Sequence, residues 1–266
     1  MVNIEKVIKE IKYFLLDMDG TVYLGSDPIG DMKNTLAVIR KSGRQIIFLT
    51  NNSSRSEESY IEKLKKIGLW EDGDSVYTSG MATAEYLNDK FKDKTVYLLG
   101  TEALKKEFRE SGINLIEEGQ PDVAVLSYDT ELTYNKLFKF TSAIAKGAYY
   151  VATHPDINCP AKDVFAPDVG SFMKLIEAST GKMPSVIIGK PSTFMGDNLK
   201  KNFTAASDRF IMVGDRLNTD IRFGNNNGFY SLLVLSGETT EKNMKNYPDI
   251  PSFKLNSLND IVKFLQ

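Results

Sequence analysis

The sequence has very little thiol or imidazole to offer: of its 266 residues one is cysteine, Cys159, and one is histidine, His154. A single thiol forms no internal disulfide and cannot build a thiolate zinc cluster, which fits a reducing compartment and leaves stability to the apolar core. Long hydrophobic runs are missing too. Stretches such as Ile46-Ile47-Phe48-Leu49 fall far short of the ~20 apolar residues needed to cross a bilayer. The opening Met1-Val2-Asn3-Ile4-Glu5-Lys6 lacks the basic-then-apolar layout of a secretory signal. A cytoplasmic protein is expected. Neither sign of charge predominates. The 33 basic and 35 acidic residues are intermixed, so no broad positive field exists for nucleic acid or an anionic membrane. The expected partner is a small molecule, with no nucleic acid and no membrane involved. Hydrophobic residues at 42% are ample for a core, in one large domain or two ordinary ones.

Apolar runs and helical periodicity alternate along the chain. Tyr13 to Leu16 predicts a buried strand, Met32 to Lys41 an amphipathic helix ending near Gly43, and Gln45 to Thr50 a second strand. A helix follows Ser54, with Glu57 placed as a capping-box partner and Tyr60, Ile61, Leu64 and Ile67 on its apolar side, and Gly68 stops it. A second series begins near Ser79. It comprises a helix through Tyr86 and Leu87, a strand Thr95 to Leu99, a helix from about Thr101 to Arg109, a strand Asp122 to Ser127, a helix Tyr134 to Lys146 and a strand Tyr149 to Thr153. Val186 to Gly189, Phe210 to Val213 and Tyr230 to Val234 then resemble the strands of the first part. The alternation predicts an α/β protein with a parallel sheet and right-handed crossovers. The core is expected over residues 1–78 and 186–266, interrupted by an α/β insert over residues 79–185.

Four strand ends carry chemistry. Asp17-Met18-Asp19-Gly20-Thr21 follows the first apolar run. Ligands of open α/β sheets sit beyond the carboxyl ends of the strands, and alternate residues of an extended segment point the same way, so Asp17 and Asp19 can face one substrate. One carboxylate there can attack phosphorus while the other protonates a leaving oxygen. Thr50-Asn51-Asn52 ends the second strand with a hydroxyl donor and backbone amides able to cradle phosphate, although Ser53 and Ser54 also suit a helix-capping loop. Gly189-Lys190-Pro191-Ser192 puts a lysine at a strand tip, where it could offset charge on a transferring phosphoryl group. Gly214-Asp215-Arg216-Leu217-Asn218-Thr219-Asp220 supplies a second carboxylate cluster. Asp215 is the candidate ligand for magnesium, a cation that takes oxygen ligands and keeps several waters. Asp220 suits either orienting a metal-bound water or holding Lys190, and Asn218 can hydrogen-bond within the same loop.

The order carboxylate pair, hydroxyl, lysine, carboxylate pair closely resembles the haloacid dehalogenase superfamily of phosphohydrolases, over nearly the whole chain. The insert between the hydroxyl and lysine motifs, with Thr50-Asn51-Asn52-Ser53 and Gly189-Lys190-Pro191, resembles the NagD-type or p-nitrophenyl phosphatase branch. That resemblance implies a Rossmann-like core carrying an α/β cap and a magnesium-dependent phosphomonoesterase of small intracellular phosphate esters, working through an aspartyl phosphate. It makes Asp17 the nucleophile, Asp19 the acid/base, and Thr50, Asn51, Asn52 and Lys190 the phosphate holders. Magnesium would be held by Asp17, the backbone carbonyl of Asp19, and Asp215. Dehalogenases displace halide and lack an acid at the position of Asp19, so phosphate esters are favoured. A phosphotransferase or mutase on the same core, and a phosphate-ligand binding protein without turnover, are the alternatives. Related caps carry an Asn-rich stretch facing the active site where this chain has Thr153-His154-Pro155-Asp156, which makes His154 and Asp156 candidate substrate contacts. Related proteins also pair through their caps, so a homodimer is an expectation. Cys159 is not expected to be a nucleophile, because no histidine base is predicted beside it. Ala166 to Phe172 caps the next helix or lines the specificity pocket, and Trp70 is expected to pack in the core.

Overall fold

The computed structural model describes residues 3–160 and 165–265. Its chain divides into two compact units, Met1–Thr50 with Glu58–Tyr77 and Lys190–Gln266, and Asn51–Glu57 with Thr78–Gly189. The strands of the two main sheets are, in chain order, β1 (Tyr13–Leu16), β2 (Gln45–Thr50), β3 (Ser75–Thr78), β4 (Thr95–Leu99), β5 (Asn114–Leu115), β6 (Val123–Leu126), β7 (Tyr149–Ala152), β8 (Val186–Ile187), β9 (Phe210–Gly214), β10 (Tyr230–Val234) and β11 (Phe253–Leu255).

In the first unit the sheet order is β11-β10-β9-β1-β2-β3, and the pairings of β1 with β2 and β9, of β9 with β10 and of β10 with β11 are parallel. Central strands covered on both faces must be apolar throughout, and every residue of β9 is buried, as are Phe14, Leu15 and Leu16 of β1. On the Met32–Lys41 helix the buried residues Met32, Thr35, Leu36 and Ile39 fall at helical spacing, and Trp70 packs partly buried against the same core, 6.4 Å from the Phe48 ring. After β1 the chain runs to β2 and β3 on one side, and after β9 it runs to β10 and β11 on the other. The sheet therefore reverses direction between β1 and β9, and the crevice beyond their carboxyl ends is where an open α/β sheet takes its ligand.

The second unit has its own parallel sheet, in the order β8-β7-β6-β4-β5. Tyr97, Leu99, Leu126, Phe140, Ile144 and Met173 are among the residues of its core. Two expectations are corrected. The Val186 strand is not a core strand: Val186 and Ile187 pair with Val151 and Ala152 on β7, as a half-buried edge. A short apolar run reads the same for either sheet, and here backbone pairing continues through Gly189, whose N–H donates to Thr153 O at 2.7 Å. The capping box at Ser54 and Glu57 is also absent. Ser54 Oγ donates instead to Asn52 Oδ1 at 2.7 Å, and Glu57 is already the first helical residue, its N–H donating to Glu107 Oε2 at 3.1 Å.

The Asn51–Glu57 segment is seated on the carboxyl ends of this second sheet. Ser53 Oγ accepts the Tyr128 N–H at 3.0 Å and lies 3.0 Å from Thr153 Oγ1, Thr101 Oγ1 donates to Ser54 O at 3.0 Å, and Ser79 Oγ donates to Asn51 O. Among the described residues no helix is long and apolar enough to cross a membrane.

Candidate active site

β1 ends where its neighbour β9 turns polar. Asp17 N–H donates to Val213 O at 2.9 Å, which sets Asp17 level with the Gly214-Asp215 exit. Met18 is buried in the core, so its neighbours Asp17 and Asp19 face away from it. The Met18 carbonyl accepts the N–H groups of Thr21, Val22 and Tyr23 at 3.2, 2.9 and 3.3 Å, closing the turn tightly. Gly20 is required twice over in that turn. Its φ is +87°, and a Cβ there would stand 2.6 Å from Asp215 Oδ2.

Lys190, 1% exposed, holds two carboxylates together. Its Nζ lies 2.6 Å from Asp17 Oδ1 and 2.7 Å from Asp220 Oδ1, and 3.4 Å from Leu49 O. Asp220 is fixed in turn by the Arg216 N–H, which donates to its Oδ2 at 3.1 Å. Burial pulls the Lys190 ammonium down, but Asp17 and Asp220 outweigh it and hold the proton on more firmly than usual. Burial raises the Asp17 carboxyl well above its ordinary range, Lys190 pulls it back, and Asp220 and Asp215 push it up again.

Asp215 is 2% exposed. Its Oδ2 accepts the Glu238 N–H at 2.6 Å, whereas Oδ1 is buried with no hydrogen-bond partner. Burial first, then Asp220, push its carboxyl up to about 6. One oxygen from each of Asp17, Asp215 and Asp220 lies within 4.8 Å of the others. Three carboxylates around one ammonium leave a surplus of two negative charges, in an all-oxygen site with one orphaned oxygen. This donor set fits a hard divalent cation such as magnesium.

A haloacid dehalogenase-like hydrolase family model matches residues 14–114, and a second, HAD-hydrolase-like, matches residues 187–261. The acid sugar phosphatase of Staphylococcus haemolyticus is 32% identical over 259 residues, covering 97% of this chain and 98% of that one. The chain belongs to the haloacid dehalogenase-like hydrolases. Among solved structures, 4-nitrophenylphosphatase from Thermotoga maritima matches with a TM-score of 0.93 and 42% identity over 98% of this chain and 99% of that one. NagD from Escherichia coli K-12 matches at 0.85 and 28% identity over 94% and 98%. Within the family the chain is a NagD-type phosphatase with a parallel-sheet core.

The remaining candidates of this haloacid dehalogenase-like chain divide between the two units. Asp19 is exposed, and burial of part of its carboxyl raises its pKa while Lys63, the Gly25 N–H and Arg216 pull it down. Thr50 is buried at the end of β2, next to β1. Asn218 is exposed, with Thr219 Oγ1 3.5 Å from its Oδ1. Asn51, Asn52, His154 and Asp156 all fall in the second unit. Asn51 Nδ2 donates to the Asp156 carboxylate at 3.2 and 3.3 Å, and Asn52 Oδ1 accepts the Ser54 N–H at 2.9 Å. His154 is fully buried, and both ring nitrogens are engaged. Nδ1 lies 3.0 Å from Thr153 Oγ1 and 3.4 Å from Ser79 Oγ, and Nε2 lies 3.0 Å from Asp168 Oδ1. Asp168 also accepts the Val169 N–H at 2.7 Å and caps the Val169–Thr180 helix, one of the two readings open for that segment.

Ser53 read only as a capping residue, and neither a role for Arg216 nor the loop 236–239 was legible in the sequence. The loop meets Asp215 mainly through backbone amides, which every residue possesses, so only the glycine at 237 hinted at a close approach.

Proposed function

We propose that this protein is a magnesium-dependent phosphomonoesterase that hydrolyses small phosphate esters through an aspartyl phosphate on Asp17. The observation that carries the reading is the Asp17 carboxylate, held 2.6 Å from Lys190 at the point where the sheet reverses, beside the unpartnered Oδ1 of Asp215. A phosphate-binding module has no need of a nucleophile and an acid two residues apart.

In the first step an Asp17 oxygen attacks phosphorus in line. The new bond runs from that oxygen to phosphorus, the ester P–O bond breaks, and Asp19 gives its proton to the departing alkoxide. A raised carboxyl pKa suits Asp19 to that role, since the acid must carry its proton when the bond breaks. In the second step Asp19 takes a proton from water as that water attacks the same phosphorus. The Asp17–phosphorus bond breaks, and inorganic phosphate and the free carboxylate are released. Lys190 favours the ionised form of Asp17 against the burial that raises its carboxyl, and it sets the carboxylate's orientation, while the Thr50 hydroxyl is the further candidate donor to phosphate oxygens. Asp17, the Asp19 carbonyl and Asp215 would hold the magnesium ion, which when bound supplies positive charge against the oxygens of the transferring phosphoryl group.

Small phosphorylated metabolites are the substrate class, and sugar phosphates come first because the Staphylococcus haemolyticus relative is an acid sugar phosphatase. The test of the mechanism is acid quenching during turnover followed by hydroxylamine treatment. A hydroxylamine-labile phosphate on the peptide containing Asp17, absent from Asp17→Asn, is the expected result; labelling elsewhere would sink the assignment.

A further inference from the structure

The loop after β10, Ser236-Gly237-Glu238-Thr239, has no part in the chemistry just described, yet each of its residues meets either Asp215 or the Asp17–Thr21 turn. Ser236 Oγ donates to Gly20 O at 2.8 Å. Glu238 N–H donates to Asp215 Oδ2 at 2.6 Å, and Thr239 N–H donates to the Asp215 carbonyl at 3.2 Å. A Cβ on Gly237 would stand 2.0 Å from Asp215 Oδ2, so the loop backbone lies directly against the carboxylate. The loop is fastened from the other side by an ion pair, Arg216 Nε to Glu238 Oε2 at 2.9 Å. Arg216 itself follows Asp215 and donates its backbone N–H to Asp220.

The consequence is an asymmetric carboxylate. Oδ2 is satisfied by an amide and hemmed in by the Gly237 backbone, whereas Oδ1 is buried and has no partner. Magnesium demands near-ideal octahedral geometry with short oxygen bonds, a requirement best met by one defined oxygen from each carboxylate. We propose that Ser236–Thr239 is a positioning strap that locks the Asp215 rotamer and presents Oδ1 alone to the divalent cation, with the Arg216–Glu238 ion pair holding the strap closed. The proposal rests on Asp215 being a metal ligand, and it extends that reading to residues that never touch the ion. Outer hydrogen-bond partners of metal ligands change affinity by about 10–100-fold when removed, because the ligand must then be ordered at the moment of binding.

The test is calorimetric titration of Mg2+ into the full chain, with the melting temperature of each metal-free variant measured alongside. Glu238→Gln and Arg216→Gln are each expected to raise the Mg2+ Kd about tenfold, at an unchanged metal-free melting temperature. Gly237→Ala, which pushes a methyl group into the carboxylate, should weaken binding most. Excess Mg2+ should restore kcat in Glu238→Gln while KM for the ester stays constant, a split that general loosening of the fold would not produce. Parental Kd values in both Glu238→Gln and Arg216→Gln, alongside lost binding in Asp215→Asn, would overturn the strap and leave the metal site standing. A Kd change that merely follows a lowered metal-free melting temperature would also overturn it. A parent chain that binds no Mg2+ would remove the metal reading itself, and the strap with it.

Discussion

Lys190 neutralises two carboxylates that would otherwise repel each other in a buried site. Removing one partner of a buried charge cluster costs about 3–5 kcal/mol, because the groups left behind remain desolvated. Lys190→Met should therefore lower the denaturant midpoint and turnover together, with kcat falling by about 10²–10³ from lost charge stabilisation. A variant with parental kcat and midpoint would contradict the role given to this ammonium. Asp17, Lys190 and Asp215, which the structure gathers in one cluster, were legible as candidates because each stands just beyond a short apolar run. His154 was legible only as the end of a strand. Its ring partners, Ser79 and Asp168, come from segments distant in the chain, and they turn a candidate substrate contact into a buried link within the second unit.

At the scale of elements, the strand-helix alternation predicted most strands and helices to within a residue or two, while the ownership of the Val186 strand escaped it. Two half-buried residues carry too little pattern to choose a sheet. The segment after Thr50 was equally opaque, since Ser53 and Ser54 read as capping residues, whereas the Ser53 hydroxyl proved to be an anchor on strand ends. Ser53→Ala would leave the buried Tyr128 N–H unpaired, a loss of about 1–3 kcal/mol. Equilibrium unfolding should show that loss, and an unchanged midpoint would mean the hydroxyl is not an anchor. Glu107, which accepts the Glu57 N–H, gives a pH-dependent counterpart. Burial raises its carboxyl above the ordinary 4.5, the Glu57 N–H pulls it back, and the Glu57 and Glu110 charges push it up again. The folded chain then holds the proton more tightly than the unfolded chain, so this contribution to stability is complete below pH 4.5 and is lost as pH rises through the raised value. Glu107→Gln keeps an acceptor for the amide without the charge. Its melting temperature should gain on the parent between pH 4 and pH 7, and parallel curves would contradict the assignment.

Over the whole molecule, charge is nearly balanced, with a net value of −2, so selectivity for a phosphorylated ligand must arise locally. The local source is one concentrated site at the reversal of a parallel sheet, in a chain interrupted by a second α/β unit, an arrangement shared with phosphatases over almost the full length. The family was legible because four motifs recur in a fixed order. The identity of the leaving group was not, because it depends on side chains gathered from several segments of a single sequence. The most direct measurement is phosphate release from p-nitrophenyl phosphate and a panel of sugar phosphates, with and without Mg2+, in the parent chain and in Asp17→Asn. Magnesium-dependent release that disappears in a folded Asp17→Asn chain is the predicted result; equal release by the two chains, or none from either, would contradict the account.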